Sequence, residues 1–152
     1  MTMKILILED NDARALAMQE LLRDRFHPYD AVVFDDANEM LAFLRKNLAS
    51  ALLICLDHDL EMKPSKNGKM HDPGTGREVA DFLAQNDPIC PVIIHTTNSA
   101  AGDGMEFLLR EAGWETHRVQ PFNDLEWIAT QWFRTVRNAI VGTARPRPKN
   151  TV

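Results

Sequence analysis

The sequence ALLIC at residues 51–55 is followed directly by LDHDL at residues 56–60. A short apolar run bounded by polar residues predicts a buried β-strand, which would deliver Asp57, His58 and Asp59 at its carboxyl end. Two carboxylates and one imidazole within three residues are costly to group unless a cation, a proton or a phosphate is close by. The stretch therefore predicts a strand in the core of a sheet and a functional site at its end.

Four more apolar runs predict strands, and the segments between them predict amphipathic helices. The runs are ILIL (5–8), AVVF (31–34), PVII (91–94) and the weaker THRV (116–119). Regular alternation of strands and helices indicates a parallel sheet that is covered by helices on both faces. With right-handed crossovers, we expect an α/β fold with one doubly wound five-stranded sheet of order 2-1-3-4-5, the flavodoxin-like arrangement.

Polar side chains follow three of these strands and converge at one edge of the predicted sheet. In this strand order, ligands bind at the switch point between the first and third strands, beyond their carboxyl ends. Glu9 and Asp10 follow the first strand and Asp57 follows the third, while the fourth adds His95, Thr96 and Asn98. Carboxylates beside hydroxyl and amide groups suit Mg²⁺, so the three acids are predicted metal ligands. Taken singly, each acid could instead cap a helix or stay solvated.

Composition and length indicate a single globular domain, since 45% of the 152 residues are hydrophobic and 26% are charged. We place this domain at residues 1–141 and expect a disordered, basic, proline-rich tail at residues 142–152. The net charge of −5 argues against broad, non-specific attraction to nucleic acid. The polar segment 61–74 is long for a strand-to-helix connection, which predicts either a lid or a disordered loop.

The chain carries no apolar run of the roughly 20 residues that a membrane span needs, and no signal-peptide pattern follows Met1. We therefore expect a cytoplasmic protein that does not enter the membrane. Cys55 and Cys90 form no Cys-x-x-Cys pair. Both are predicted to be small buried residues rather than a disulfide or metal ligands.

At its acidic positions the chain resembles the receiver domain of two-component response regulators, over roughly residues 3–141. The resemblance rests on Leu8-Glu9-Asp10-Asn11, Asp57, Thr96 and Pro121-Phe122. It implies that the acidic pair and Asp57 bind Mg²⁺ and that Asp57 is the phospho-acceptor for a partner kinase. The lysine that the family carries before Pro-Phe is Gln120 here. A neutral amide cannot replace a point charge, which argues against phosphorelay signalling.

Where the chain departs from that pattern, it resembles a narrower branch, the cyclic-phosphate processing receiver domains. The shared motifs are DHDL at 57–60, Thr75-Gly76, and HTTN at 95–98 followed by Gly102 and Met105. Thr96 stands where that branch has a serine and keeps the hydroxyl. The resemblance implies a phosphate-bearing partner, namely a 2′,3′-cyclic phosphate on a nucleotide or at an RNA end.

Opening a cyclic phosphate requires an activated water and a proton for the leaving oxygen, and two groups that titrate near neutral pH can divide that work. His58 and His95 are the candidates, with Asp57 and Asp59 as further catalytic candidates beside them. The residues expected to contact the phosphate are Thr75, Gly76, Thr96 and Asn98.

Side-chain alternation is an objection to this mechanism, because neighbours along a strand face opposite sides. If Asp57 and Thr96 face the pocket, each adjacent histidine points away unless its strand has curled into a loop. Two other functions stay open: a signalling receiver that is phosphorylated on Asp57, and a non-catalytic interaction module. For the latter, the last predicted helix places Trp127 and Phe133 off its main apolar face. The sequence leaves the oligomeric state open.

Overall fold

The structure is a computed structural model, and it describes residues 2–144 of the chain. The last helix continues to Ala144. The remainder of the predicted tail, from residue 145 onward, lies outside the described residues.

The strands follow the apolar runs of the sequence closely. They are β1 (Lys4–Leu8), β2 (Asp30–Phe34), β3 (Ala51–Leu56), β4 (Lys63–Pro64), β5 (Met70–His71), β6 (Val92–His95) and β7 (Thr116–Val119). Five of them form one parallel sheet in the order β2-β1-β3-β6-β7. Counted within that sheet, this is the order 2-1-3-4-5, so the predicted flavodoxin-like fold is confirmed. Its switch point lies between β1 and β3.

Within residues 2–144, four α-helices connect the strands of this sheet, a fifth follows its last strand, and together they cover both of its faces. They are α1 (Asp12–Arg25), α2 (Ala37–Asn47), α3 (Gly76–Ala84), α4 (Ser99–Glu111) and α5 (Phe133–Ala144). A 3₁₀ turn at Leu48–Ser50 precedes β3, and a π-helical segment at Ile128–Trp132 leads into α5. The side chains of Asn11, Asp36 and Asn98 cap α1, α2 and α4 by accepting backbone N–H groups of the first turn.

Alternation along each strand divides the core between the two faces of the sheet. Leu6, Ile54 and Ile94 pack against α2, α3 and α4. Ile7, Cys55 and Ile93 pack against α1, the π-helical segment and α5. Cys55 and Cys90 are both buried and unbonded, as predicted. The same alternation continues into the residue after each strand end, so that residue lies on the same face of the sheet as the residue two positions before it.

The segment 61–74, for which the sequence predicts either a lid or a disordered loop, contains regular structure. It contains the antiparallel hairpin of β4 and β5, whose tight turn includes Gly68 at a positive φ of 76°. Ion pairs join both strands to the start of α2: Lys63 Nζ lies 2.9 Å from Asp35, and His71 Nε2 contacts Asp36. The hairpin therefore lies beside the carboxyl edge of the main sheet.

Within residues 2–144, no helix combines the length and the apolar character that crossing a membrane requires.

Candidate functional site

Strand register brings Glu9, Asp57 and His95 into one row across three neighbouring strands. Leu8 pairs with Leu56, and Leu56 pairs with Ile94. The next residue on each strand is therefore level with the other two, and the Asp57 N–H continues the ladder by donating to the Leu8 carbonyl at 3.1 Å. By parity with Ile7, Cys55 and Ile93, the three side chains share the sheet face that α1 and α5 cover.

The three side chains form a compact buried cluster. One ligand-type atom from each lies within 4.8 Å of those of the other two. Glu9, Asp57 and His95 are only 1%, 7% and 0% exposed. The objection from alternation is therefore wrong for His95, which lies beside Asp57, whereas Thr96 takes the opposite parity.

Three atoms of this cluster have unused hydrogen-bonding capacity. Glu9 Oε1 lies 3.4 Å from His95 Nε2, but the pair lacks hydrogen-bond geometry. Among the described residues, neither that oxygen nor either ring nitrogen of His95 has a hydrogen-bond partner. Buried polar atoms are nearly always paired, so these call for an explanation.

The surroundings of Glu9 and His95 hold both side chains in place. Glu9 Oε2 accepts the Asn11 N–H at 3.1 Å, and an Arg14 nitrogen lies 3.9 Å from Oε1. The Trp127 ring lies 5.8 Å from the His95 ring and 5.5 Å from the Arg14 guanidinium carbon. Trp127 is fully buried, although the helical pattern places it off the main apolar face.

Burial and neighbouring charges shift the acidic groups in different directions. The pKa of Asp57 is raised to about 6, chiefly by burial and also by the charges of Glu9 and Asp10, while His95 and the His58 N–H oppose the rise. Burial also favours a higher pKa for Glu9, but His95, the Asn11 N–H and Arg14 together hold that pKa below its usual value. The cluster thus combines one stabilised carboxylate with one that is costly to ionise.

Asp10, an expected metal ligand, lies outside the three-residue cluster. Its Oδ2 accepts the backbone N–H of Glu61 at 2.6 Å, which ties the end of β1 to the segment after β3. Burial raises the pKa of Asp10, the Glu61 N–H opposes the rise, and the charge of Glu9 adds to it.

His58 and Asp59 form a second polar group at the end of β3. His58 Nδ1 lies 2.8 Å from Asp59 Oδ1, and Asn98 Nδ2 donates to Asp59 Oδ2 at 3.2 Å. The hydrogen bond with His58 lowers the pKa of Asp59, with help from Asn98, so Asp59 accepts as a carboxylate. Nδ1 therefore carries the proton, and in neutral His58 the free lone pair is on Nε2.

The four residues expected to contact phosphate have identifiable local roles. Thr96 Oγ1 accepts the Asn98 N–H at 3.1 Å, and Asn98 Oδ1 accepts the Ala101 N–H as the cap of α4. Thr75 precedes α3 without a side-chain capping bond. The Gly76 N–H donates to the His58 carbonyl at 3.0 Å, so this donor is already used.

Comparison with protein families matches residues 4–111 to the model of the cyclic-phosphate processing receiver domain. This match spans well over half of the 152 residues. The chain belongs to this family. The DHDL, Thr75-Gly76 and HTTN motifs of this cyclic-phosphate processing receiver domain all lie within the matched range. A comparison with curated proteins found no match.

Solved structures support the fold of this receiver domain. The phosphorylated cyanobacterial phytochrome response regulator RcpA is 23% identical, with a TM-score of 0.70 over 97% of this chain and 100% of that one. A response regulator receiver domain from Rhodospirillum rubrum is 18% identical, with a TM-score of 0.65 over 95% and 96%. The Mn²⁺-bound form of response regulator Rcp1 is 23% identical, with a TM-score of 0.59 over 90% of each chain. At these identities, the likeness shows the fold alone.

The receiver domain also contains a site residue that the sequence analysis missed. Arg14 is in the first turn of α1, where the helix dipole disfavours a cation. A cation at such an unfavourable position indicates a functional role, and this could have been noticed in the sequence. Arg14 places a guanidinium beside Glu9, whereas Gln120 is exposed and neutral.

Proposed function

We propose that Glu9, Asp57 and His95 hold a divalent cation and that the protein binds and hydrolyses a 2′,3′-cyclic phosphate beside it. The proposal depends on one observation: three buried side chains place ligand atoms within 4.8 Å of one another, and two of those atoms have no hydrogen-bond partner among the described residues. Burying two carboxylates together is costly without a compensating positive charge, and a divalent ion supplies it. The donor atoms thus fit a cation; Mg²⁺ was the ion expected from the sequence.

His58 is the proposed proton acceptor. Asp59 holds its Nδ1–H, which leaves Nε2 free to take a proton from a water molecule that adds to phosphorus. One phosphorus–oxygen ester bond then breaks, and the released ribose oxygen takes a proton from solvent. A bound divalent cation supplies charge neutralisation at the phosphoryl oxygens. In this proposal Asn98 positions Asp59. His95 is a metal ligand rather than the acid–base catalyst that the sequence suggested.

We expect purified protein to hydrolyse nucleoside 2′,3′-cyclic phosphates when a divalent cation is present. Asp57→Asn should lower turnover by at least about 100-fold, because it removes a charged ligand from the cation. Asp30→Asn is the matched control, since Asp30 is an exposed carboxylate at the far end of β2. Chromatographic separation of the cyclic and monoester forms gives the rates. Equal rates of hydrolysis in all three proteins would show that Asp57 does not belong to the site.

The signalling alternative makes a different prediction from the same variant. If Asp57 is a phospho-acceptor, incubation with a small phosphodonor and Mg²⁺ will add a hydroxylamine-sensitive phosphoryl group at Asp57 and none in Asp57→Asn. Mass spectrometry reads this adduct directly. An adduct without turnover of cyclic phosphates would favour a signalling receiver with a partner kinase over the hydrolytic function.

Arg14 is the proposed counter-charge for the bound phosphate. It is 28% exposed, lies 3.9 Å from Glu9 and stacks on Trp127. We expect Arg14→Gln to weaken binding of a nucleoside monophosphate product by about 3- to 10-fold, because one partly screened charge is lost. Arg23→Gln in the last turn of the same helix is the control. Calorimetric titration measures both, and equal affinities would show that Arg14 serves only to hold Glu9.

A further inference from the structure

The candidate cation site contains a nitrogen donor at its centre. His95 Nε2 faces Glu9 Oε1 at 3.4 Å, and the Asp57 carboxylate completes the cluster. The all-oxygen set expected from the sequence would have used Asp10 instead. Asp10, however, accepts the Glu61 N–H and lies outside the cluster. The site therefore offers two carboxylates and one imidazole rather than three carboxylates.

Mg²⁺ takes oxygen ligands and water, whereas imidazole suits ions such as Fe²⁺ and Zn²⁺. We propose that the Glu9–Asp57–His95 cluster selects an imidazole-binding first-row ion such as Fe²⁺ or Zn²⁺ over Mg²⁺, with His95 Nε2 as a direct ligand. This inference rests on the cation-assisted function proposed above and specifies the class of ion that serves it.

The packing around His95 supports a ligand role over simple filling of the core. The ring is fully buried, and both of its nitrogens lack a hydrogen-bond partner among the described residues, an arrangement that costs free energy unless something binds there. Trp127 packs against the ring at 5.8 Å and restricts its orientation. The Asn11 N–H occupies Glu9 Oε2 and leaves Oε1 directed at the imidazole. The unpaired Glu9 Oε1 and His95 Nε2 thus lie 3.4 Å apart in one small buried volume.

Charge in the surroundings also favours a site with few ionised oxygens. Glu9 and Asp57 are only 1% and 7% exposed, and the guanidinium beside them is that of Arg14, 3.9 Å from Glu9 Oε1. A neutral nitrogen ligand adds coordination without a third negative charge in a buried volume. The replacement of an acidic ligand by His95 therefore suits the burial of this cluster.

Electron paramagnetic resonance of the Mn²⁺-loaded protein tests the inference directly. We expect modulation of the electron spin echo from a coordinated ¹⁴N nucleus in the wild type and its loss in His95→Gln. Mn²⁺ serves here as the paramagnetic probe; His95→Gln should also weaken Zn²⁺ binding by about 10- to 100-fold while changing Mg²⁺ affinity far less. His117→Gln is the matched control, because His117 is a partly exposed imidazole on β7 that pairs with Glu115. That control should keep the nitrogen signal and both affinities.

Failure of this inference and failure of the proposed function give different results. Mn²⁺ that binds the wild type without nitrogen modulation, or equal weakening of Zn²⁺ and Mg²⁺ binding in His95→Gln, would overturn the role of His95 but leave a cation site. Absence of both Mn²⁺ and Mg²⁺ binding would overturn the cation site itself, and the inference with it. The wild-type echo decides the ligand question even if His95→Gln does not fold.

Discussion

Gly76→Ala will destabilise the protein by about 3 kcal/mol or more, because the new methyl group meets backbone that cannot move aside. An ideal Cβ at Gly76 would lie 1.9 Å from the Asp57 carbonyl oxygen and 3.1 Å from the His58 Cα. These atoms belong to the chain that leaves β3 and positions the site. Any relief of the overlap must therefore displace Asp57 or separate α3 from the sheet.

Urea unfolding of Gly76→Ala and of Gly142→Ala provides a matched comparison. Gly142 lies in α5, is exposed, and has no atom within 4 Å of an added Cβ. Alanine is a better helix former than glycine, so Gly142→Ala should raise stability by roughly 0.5–1 kcal/mol. A Gly76→Ala protein as stable as the wild type would contradict the close packing of α3 on the end of β3.

The close approach at Gly76 also gives the Thr75-Gly76 motif a structural basis. The Gly76 N–H already donates to the His58 carbonyl, and the absence of a side chain allows α3 to begin against the DHDL stretch. The motif therefore joins the start of one helix to the functional end of the central strand. Phosphate contact by Gly76 stays a prediction that would require the N–H to exchange partners.

The fold could be predicted from the sequence because most strands of the main sheet are short apolar runs and because α1, α2 and α4 begin after polar capping residues. Asn11 and Asp36 cap the helices that follow β1 and β2, as their positions after apolar runs indicate. The hairpin within 61–74 could not be predicted in this way. Its strands are two residues each, and ion pairs from Lys63 and His71 to Asp35 and Asp36 join it to α2.

The location of the candidate site was predictable from the sequence, but the set of side chains that cluster there was not. Strand ends place Glu9, Asp57 and His95 at the switch point from sequence alone. Which neighbours share a face depends on register and on where each strand stops, and the sequence does not give either to within one residue. A one-residue shift moves a side chain to the other face, so His95 rather than Thr96 lies beside Asp57. Trp127 and Arg14 enter from helices that local patterns cannot position.

Asp57→Asn will stabilise the cation-free protein at pH 8 by about 2–3 kcal/mol relative to the wild type. The pKa of Asp57 is about 6 in the folded protein against an ordinary value of 3.8, so the folded state holds the proton more tightly than the unfolded state does. This tighter proton binding stabilises the folded state. The stabilisation is fully present below the pKa of the unfolded state and is lost as pH rises through about 6. Two pKa units correspond to about 3 kcal/mol, and at 7% exposure Asp57 has little solvent screening. Asparagine carries no charge and does not show this loss.

Urea unfolding at pH 4 and pH 8, in a chelating buffer, measures the effect as the difference between wild type and Asp57→Asn. That difference should be small at pH 4 and grow toward pH 8, whereas Asp30→Asn should follow the wild type at both. A saturating divalent cation should reverse the order at pH 8: at about 100 times its dissociation constant it adds about 2.7 kcal/mol to the wild type. The variant, lacking one ligand, should gain far less.

A constant difference across this pH range would mean that Asp57 is not desolvated as the cluster geometry requires. A variant that loses turnover while gaining cation-free stability would tie that loss to the site rather than to unfolding.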